Sequence, residues 1–600
     1  MTGGWAGKIL RIDLSKESYS VEDLNLDTAK KFIGGRGLAV KYFTDEVPAD
    51  VDAYSDKNKI FLAVGPLTGT YGAANGRYMV VTKSPQSGTI ASSNSGGYFP
   101  SELKYAGYDM VVLEGKAKKP VYITIYNDKV EIRSAKNLWG KTTHETEDII
   151  HEKFHQDAKI ASIGPAGEKL VKFSCIMNDK HRAAGRSGVG AVMGSKNVKA
   201  IAVRGTGGVK ISDKTAYRNA AFGAYKLLKD SPVTSQGLPA YGTAVLVNVI
   251  NETGLFPTNN FQGDTFAKAE DISGETMADT ILKRNKACMG CIIGCGRVTA
   301  ISDPRFSGEG EGPEYEPIWA LGADCGINDL KAIAKANYIC NEYGFDPITA
   351  GGTIACAMEM YENGIISKDE IGRSLEFGDA DAMVEMMEKI ANREGFGDKL
   401  AEGSYRLAEE YGKPYYSMSV KKLEFPAYDG RVAQGMALNY ATSNRGACHV
   451  RGYMISPEVL GVPEKLEPTS IEGKAEWTKA FQDTTALVDS SGVCLFTTFA
   501  ITPEEIKNFF NAATGLNYSA DDLLKAGERI WNLERLYNLD AGIDPSQDTL
   551  PKRILEEPVP DGPQKGSMAR LSETLPKYYE ARGWMDGIPT SEKLAELGLR

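Results

Sequence analysis

Histidine is almost missing from this 600-residue chain: there are five, and none falls between His181 and His449. A zinc site that completes itself with a nearby imidazole has nothing to draw on across that stretch. Cysteine is scarce too, nine in all, and the clustered ones stand at metal-ligand rather than disulfide spacing, which fits a reducing compartment. No apolar run approaches the roughly 20 residues of a membrane helix, and the opening MTGGWAGKILRIDLSKE lacks a secretory h-region. A cytoplasmic protein without a membrane span is expected. Basic residues do not prevail: 69 Lys and Arg against 79 Asp and Glu leave a charge of −10, and no basic run is there to follow a phosphate backbone. A nucleic-acid partner is not expected. Neither a Walker A loop nor the dinucleotide fingerprint is present, so this chain alone is not expected to reduce NAD.

What is present is enough chain for several cores, with an ordinary globular composition of 42% hydrophobic and 25% charged residues. The first two hundred residues read mostly as β. KILRIDL alternates at period two, KIFLAVG and RYMVVTKS are β-branched runs, VYITIYNDKVEIRSA turns through Asn127-Asp128, and VKAIAVRG closes the region. From Ile211 apolar residues recur at helical spacing, in DKTAYRNAAFGAYKLLKD, LKAIAKANYICNEYGF, DAMVEMMEKIANREG, KLAEGSYRLAEEYG and LLKAGERIWNLERLYNL. The strand-like, proline-containing KKLEFPAYDGR at 421–431 interrupts them. The expected fold is α+β: a β-sheet-rich domain over 1–210, then two mainly helical domains over 211–420 and 421–600.

Cys288, Cys291 and Cys295 stand in CMGCIIGC, spaced C-x2-C-x3-C. Thiolates so spaced wrap one face of an iron–sulfur cluster, and Gly290 and Gly294 let the backbone turn closely around sulfur. The order reverses the radical-SAM spacing, which argues against that class. Structural zinc is the competing reading, but the next cysteine is as far away as Cys325. The bland reading is three buried thiols. Cys340 and Cys356 sit on apolar-periodic helices as small core residues. Cys494 ends VDSSGVCLF, where a polar turn interrupts an apolar segment; spacing does not choose the fourth ligand.

Two glycine-rich stretches, ANGRYMVVTKSPQSGTIASSNSGGYF (74–99) and NDKHRAAGRSGVGAVMGSKN (178–197), set backbone amides beside Arg77, Arg182 and Arg186. That chemistry suits an anionic, phosphate-bearing ligand. Gly-rich turns with solvated arginines are the alternative.

Taken in order, GRGLA (35–39), GPLTGT (65–70), NSGGYF (94–99), HRAAGRSGVGAVMGSKN (181–197), EGPEYE (311–316) and REGFGDKLAEGSYRLAE (393–409) resemble the tungsten-containing aldehyde ferredoxin oxidoreductase family nearly end to end. The resemblance implies a β-rich domain and two helical ones around a tungsten held by two pterin dithiolenes (tungstopterin), which supply the metal's sulfurs. By motif match, Arg77, Asn94, Gly96, Arg182, Ala183, Gly185 and Arg186 hold the pterins and their Mg2+-bridged phosphates. A pterin-contacting D-x-x-G-L-[DC] motif recurs twice in the family. Its second copy, DSSGVC, supplies Asp489, then Cys494 as the fourth [4Fe-4S] ligand, with Leu495 next to it; the first, NEYGFD, supplies Asp346 and has Asn341 where relatives have Asp.

The resemblance further makes Glu316 the carboxylate that activates water or shuttles protons and His449 the donor to the substrate oxygen, with Glu314 the nearest competitor of Glu316. Where some relatives bridge two subunits through a metal held by E-x-x-H, this chain reads KANY, Lys335 to Tyr338, so no bridging metal is expected. The implied activity is oxidation of aldehydes to carboxylic acids. Electrons would pass to ferredoxin or an iron–sulfur partner subunit, and to NAD only through a flavin-containing one. The alternatives are the active-site subunit of a tungsten benzoyl-CoA reductase and a non-catalytic electron-transfer subunit. The arginine and glycine loops argue against the latter, since a cluster alone does not require them.

Overall fold

A computed structural model describes residues 3–72 and 74–600. Two six-stranded sheets come from the first two hundred residues. In space the first runs Ser18–Asp23, Lys8–Asp13, Met110–Glu114, Ile60–Val64, Tyr78–Lys83, Ile90–Ser95. The second runs Arg182–Ala184, Ile176–Asn178, Lys159–Ser162, Val198–Arg204, Val121–Tyr126, Lys129–Ser134. Each holds one parallel pair, Lys8–Asp13 with Met110–Glu114 and Val198–Arg204 with Val121–Tyr126; the other pairings are antiparallel.

The run IFLAV shows how the layers stack. Its five residues are all buried, because a strand with both faces covered has no polar side. Ile60, Leu62 and Val64 point into a core shared by the two sheets, whereas Phe61 and Ala63 join the larger core built with the helices. Helices also interleave the strands, among them Gly35–Glu46 and Thr143–Lys153, so the first region is sheet-rich rather than all β.

Behind the first sheet, helices Lys474–Ser491 and Ala520–Asp540 pack on each other and on Gly35–Glu46. Two local readings need correction. KLAEGSYRLAEEYG is not one helix: Phe396–Leu400 and Ser404–Glu410 are separated at Gly403, whose φ of +89° lies outside helical space. Nor does Asp489 begin a turn; Asp489 to Ser491 form the last turn of helix Lys474–Ser491, and the chain leaves at Gly492. Among the described residues no helix is long and apolar enough to cross a membrane.

Candidate active site

The glycine-rich stretches lie at the edges of the two sheets, and Asn178 joins them. It accepts from Ser95 Oγ at 2.7 Å and donates to Gly96 O at 2.8 Å. Here the helical part closes over the sheets and leaves a cavity of about 620 Å³, within the range of about 300–1,000 Å³ usual for ligand sites. Of the residues expected to hold a cofactor, Arg77, Gly96, Arg182, Ala183, Gly185, Asn341 and Leu495 line it, as do Glu316 and His449. Asn94, Arg186, Asp346 and Asp489 do not; they stand behind the wall and hold it together. Arg186 donates to Asp346 Oδ2, Ala447 O and Glu424 O at 3.2, 2.7 and 2.7 Å, while Asp346 caps the helix Pro347–Glu362. Asp489 accepts from Asn94 Nδ2 at 3.0 Å and lies against Arg451.

Helix Tyr315–Leu321 carries Glu316 and is anchored by Trp319, fully buried, which donates to Pro257 O at 2.8 Å and meets Phe261 edge-on at 5.6 Å. Truncating such a tryptophan costs about 3–5 kcal/mol. Glu316 Oε2 accepts from Ala427 N at 3.0 Å, leaving Oε1 buried without a hydrogen-bond partner, 3.6 Å from His449 Nε2. That contact is not an ion pair. Burial pushes the Glu316 carboxyl up to about 8, and burial, reinforced by Arg186 and Arg445, pushes His449 well below its usual range, so both are mainly neutral near pH 7. Glu314 is separated from this pair: Thr243 Oγ1 donates to its Oε2, and it faces Cys295 and Arg182 instead.

A second, smaller cavity is lined by Cys288, Cys291, Cys295 and Cys494, all four free thiols, with Arg77, Cys295 and Phe496 common to both cavities. Chain geometry brings in Cys494. Gly492 leaves the helix at φ +88° against Thr68, where a Cβ would come within 2.1 Å of Oγ1. Its carbonyl accepts from Arg77 N at 3.3 Å, and Cys494 N donates to Ala74 O at 3.2 Å. Gly96 plays the matching part for Cys288, because a Cβ there would lie 3.0 Å from its sulfur. Among the described residues no three His, Cys, Asp or Glu converge as ligands of a single ion. A ring of thiols around a space suits a polynuclear cluster, each iron of which takes its own sulfur.

Residues 9–205 match the description "Aldehyde ferredoxin oxidoreductase, N-terminal domain", and residues 220–599 match "Aldehyde ferredoxin oxidoreductase, domains 2 & 3". The chain belongs to the aldehyde ferredoxin oxidoreductase family. It is 55% identical to the tungsten-containing aldehyde ferredoxin oxidoreductase of Pyrococcus furiosus and 54% identical to that of Thermococcus kodakarensis, each over 100% of this chain and 99% of the relative. Among solved structures, the active-site complex of a benzoyl-coenzyme A reductase with 1,5-dienoyl-CoA superposes with a TM-score of 0.86 at 26% identity, covering 100% of this chain and 98% of that one. As a member of this family the chain is an oxidoreductase, and membership implies a tungsten–pterin cofactor and an iron–sulfur electron partner.

The residues fit such a cofactor. Polar atoms at or just behind the wall are buried without hydrogen-bond partners: His181 Nδ1, Arg445 Nε, Arg451 Nε and His449 Nδ1. Arg182 Nη2 touches Glu311, though not with hydrogen-bond geometry. At Gly185 a Cβ would meet nothing nearer than 3.7 Å, which leaves backbone open to a ligand. Sequence reasoning missed His181, Arg445, Arg451 and the tyrosines Tyr428 and Tyr453, whose hydroxyls are 3.1 Å apart. A signal existed for Arg445, Arg451 and Tyr453, which share the stretch RGACHVRGY with His449; Tyr428, in KKLEFPAYDGR, is brought to them only by the fold.

Proposed function

We propose that this protein oxidises aldehydes to carboxylic acids with water as the oxygen source, releasing two electrons and two protons. The observation that carries the reading is the facing pair Glu316 and His449, 3.6 Å apart and each with an unpartnered polar atom, on the wall of a cavity otherwise rich in aromatic and aliphatic side chains. A tungsten bis-pterin with its Mg2+, bound in the larger cavity, would supply a Lewis acid and two-electron acceptor, and a [4Fe-4S] cluster held by Cys288, Cys291, Cys295 and Cys494 would supply a one-electron outlet.

The chain's own part is protonic. Oε1 is the free oxygen of Glu316, since Oε2 is taken by Ala427 N–H, so in the ionised fraction of the carboxyl Oε1 takes the proton of the attacking water. His449 Nε2 stands 3.6 Å behind it as the next acceptor, a gap that can tighten once substrate is bound. With Nε2 kept as acceptor, Nδ1 carries the hydrogen and donates to the substrate oxygen. Tyr428, Tyr453 and Phe499, whose rings meet edge-on, form an aromatic side of the cavity for the organic group.

Support for aldehydes over an aromatic CoA thioester comes from identity across the whole chain, 55% against 26%. The deciding experiment is anaerobic purification, elemental analysis, and viologen reduction with benzaldehyde, acetaldehyde and benzoyl-CoA on the same sample. About one tungsten and four irons per chain with aldehyde-dependent reduction is expected; turnover of the CoA ester alone would overturn the reading.

A further inference from the structure

The thiol loop opens on an uncovered surface. Met289 and Ile292, inside CMGCIIGC, are exposed while the three thiols are half-buried. Tyr98 adjoins them, donating from Oη to Ala287 O at 3.3 Å, and Met289 N donates to Gly97 O at 3.1 Å. Gly290 faces Thr70 O, and the next residue, Tyr71, is 63% exposed and packs edge-on against Tyr217 of helix Lys214–Asp230 at 5.8 Å. That helix buries only Tyr217, Ala224 and Leu228, and it holds Phe222, 68% exposed, and Tyr225 in solvent. Exposed large apolar side chains on the thiol loop, at Tyr98 and Tyr71, and on the helix against which Tyr71 packs mark an interaction site.

The charge there is mainly positive, on a chain whose net charge is −10. Helix Lys214–Asp230 has four cations and one carboxylate, Asp230. Arg218 and Lys226 on it, and Lys283 and Arg284 on the strand Leu282–Lys286 that feeds the thiol loop, are exposed and, among the described residues, enter no ion pair. A second copy docking through this face would set cations against cations. An acidic partner meets them with opposite charge.

We propose that this surface docks a small acidic iron–sulfur electron carrier, with Tyr71, Tyr98, Phe222, Met289 and Ile292 as its apolar centre and Arg218, Lys226, Lys283 and Arg284 as its cationic rim. The electron-transfer role rests on the reading that the four thiols hold a cluster. Each oxidised carrier leaves with one electron, so two dock for every aldehyde oxidised.

The test uses holoenzyme with benzaldehyde and two acceptors, an acidic ferredoxin and methyl viologen, a small cation that needs no docking face. In Phe222→Glu and in the double variant Lys226→Glu, Arg284→Glu, kcat/KM for ferredoxin should fall at least about tenfold, as it should for the unaltered enzyme at high salt, with viologen turnover and iron content unchanged. Ferredoxin turnover indifferent to both variants and to salt would overturn the proposal. If the unaltered enzyme holds no iron and reduces no viologen, it is the cluster reading that fails; ferredoxin affinity by calorimetry then still judges the surface, supported by loss in the variants and overturned by equal affinity.

Discussion

Arg77 and Cys494 meet at 2.8 Å, guanidinium to sulfur, in the wall that separates the two cavities. Burial opposes the charge of Arg77, but the sulfurs of Cys494, Cys288 and Cys295 more than offset it and hold the guanidinium charged. Its other fork donates to Asn94 Oδ1 at 3.3 Å, and Asn94 in turn to Asp489. A cation fixed between a thiol ring and a ligand cavity stabilises added electron density on the ring.

Replacing Cys494 by Ala removes a sulfur that no neighbouring side chain can replace. The variant should lose iron or retain a distorted cluster, read as iron per chain and as a changed electron paramagnetic resonance spectrum of the reduced protein. Arg77→Met should keep the iron and shift the cluster's midpoint potential negative, because the compensating charge is gone. A variant of Cys494 with full iron and an unchanged spectrum would remove it from the ligand set.

Glu316→Gln preserves shape and the bond from Ala427 but cannot take a proton. Tungsten and iron should remain at the level of the unaltered protein, while kcat falls by a factor on the order of 10²–10⁴. Turnover within threefold of the parent would deny Glu316 its role.

The raised carboxyl sets a sign for pH dependence. Glu316 accepts a proton only as carboxylate, and with its value near 8 only a minor fraction is ionised at neutral pH. Turnover under kcat/KM conditions should therefore climb with pH and level off above about 8, and the climb should vanish in Glu316→Gln. A profile falling through the same range would make Glu316 the acid instead.

Much of this was legible before any coordinates, and for physical reasons. Period-two alternation and β-branched runs anticipate the strands, and three thiols within eight residues anticipate the cysteine-lined cavity. What stayed hidden depends on contacts distant in sequence. Arg186, read as a ligand arginine, spends its donors on Asp346, Ala447 and Glu424, partners 160 to 261 positions away. Glu316 and Glu314 look alike in GPEYE, and only the fold turns one to His449 and the other to Thr243.

The network behind Asp489 yields a stability test. Arg36 grips Glu534 bidentately, Nε to Oε1 at 2.8 Å and Nη2 to Oε2 at 2.6 Å, with both side chains fully buried. Arg451 lies close enough that burial and Arg36 together lower it to about 10, so cations are crowded here and Glu534 offsets one of them. Glu534→Ala leaves Arg36 to share Asp489 with Arg451, and it should destabilise the protein by about 3–5 kcal/mol in denaturant titrations. Burial itself disfavours both charges, so the pair's net worth is smaller than that loss. Arg36→Met with Glu534→Leu should therefore recover most of the stability that Glu534→Ala removes, because no unpaired charge remains. A double variant as unstable as the single one would mean that Arg36 is held chiefly for Asp489, the carboxylate it approaches at 3.4 Å beside Asn94.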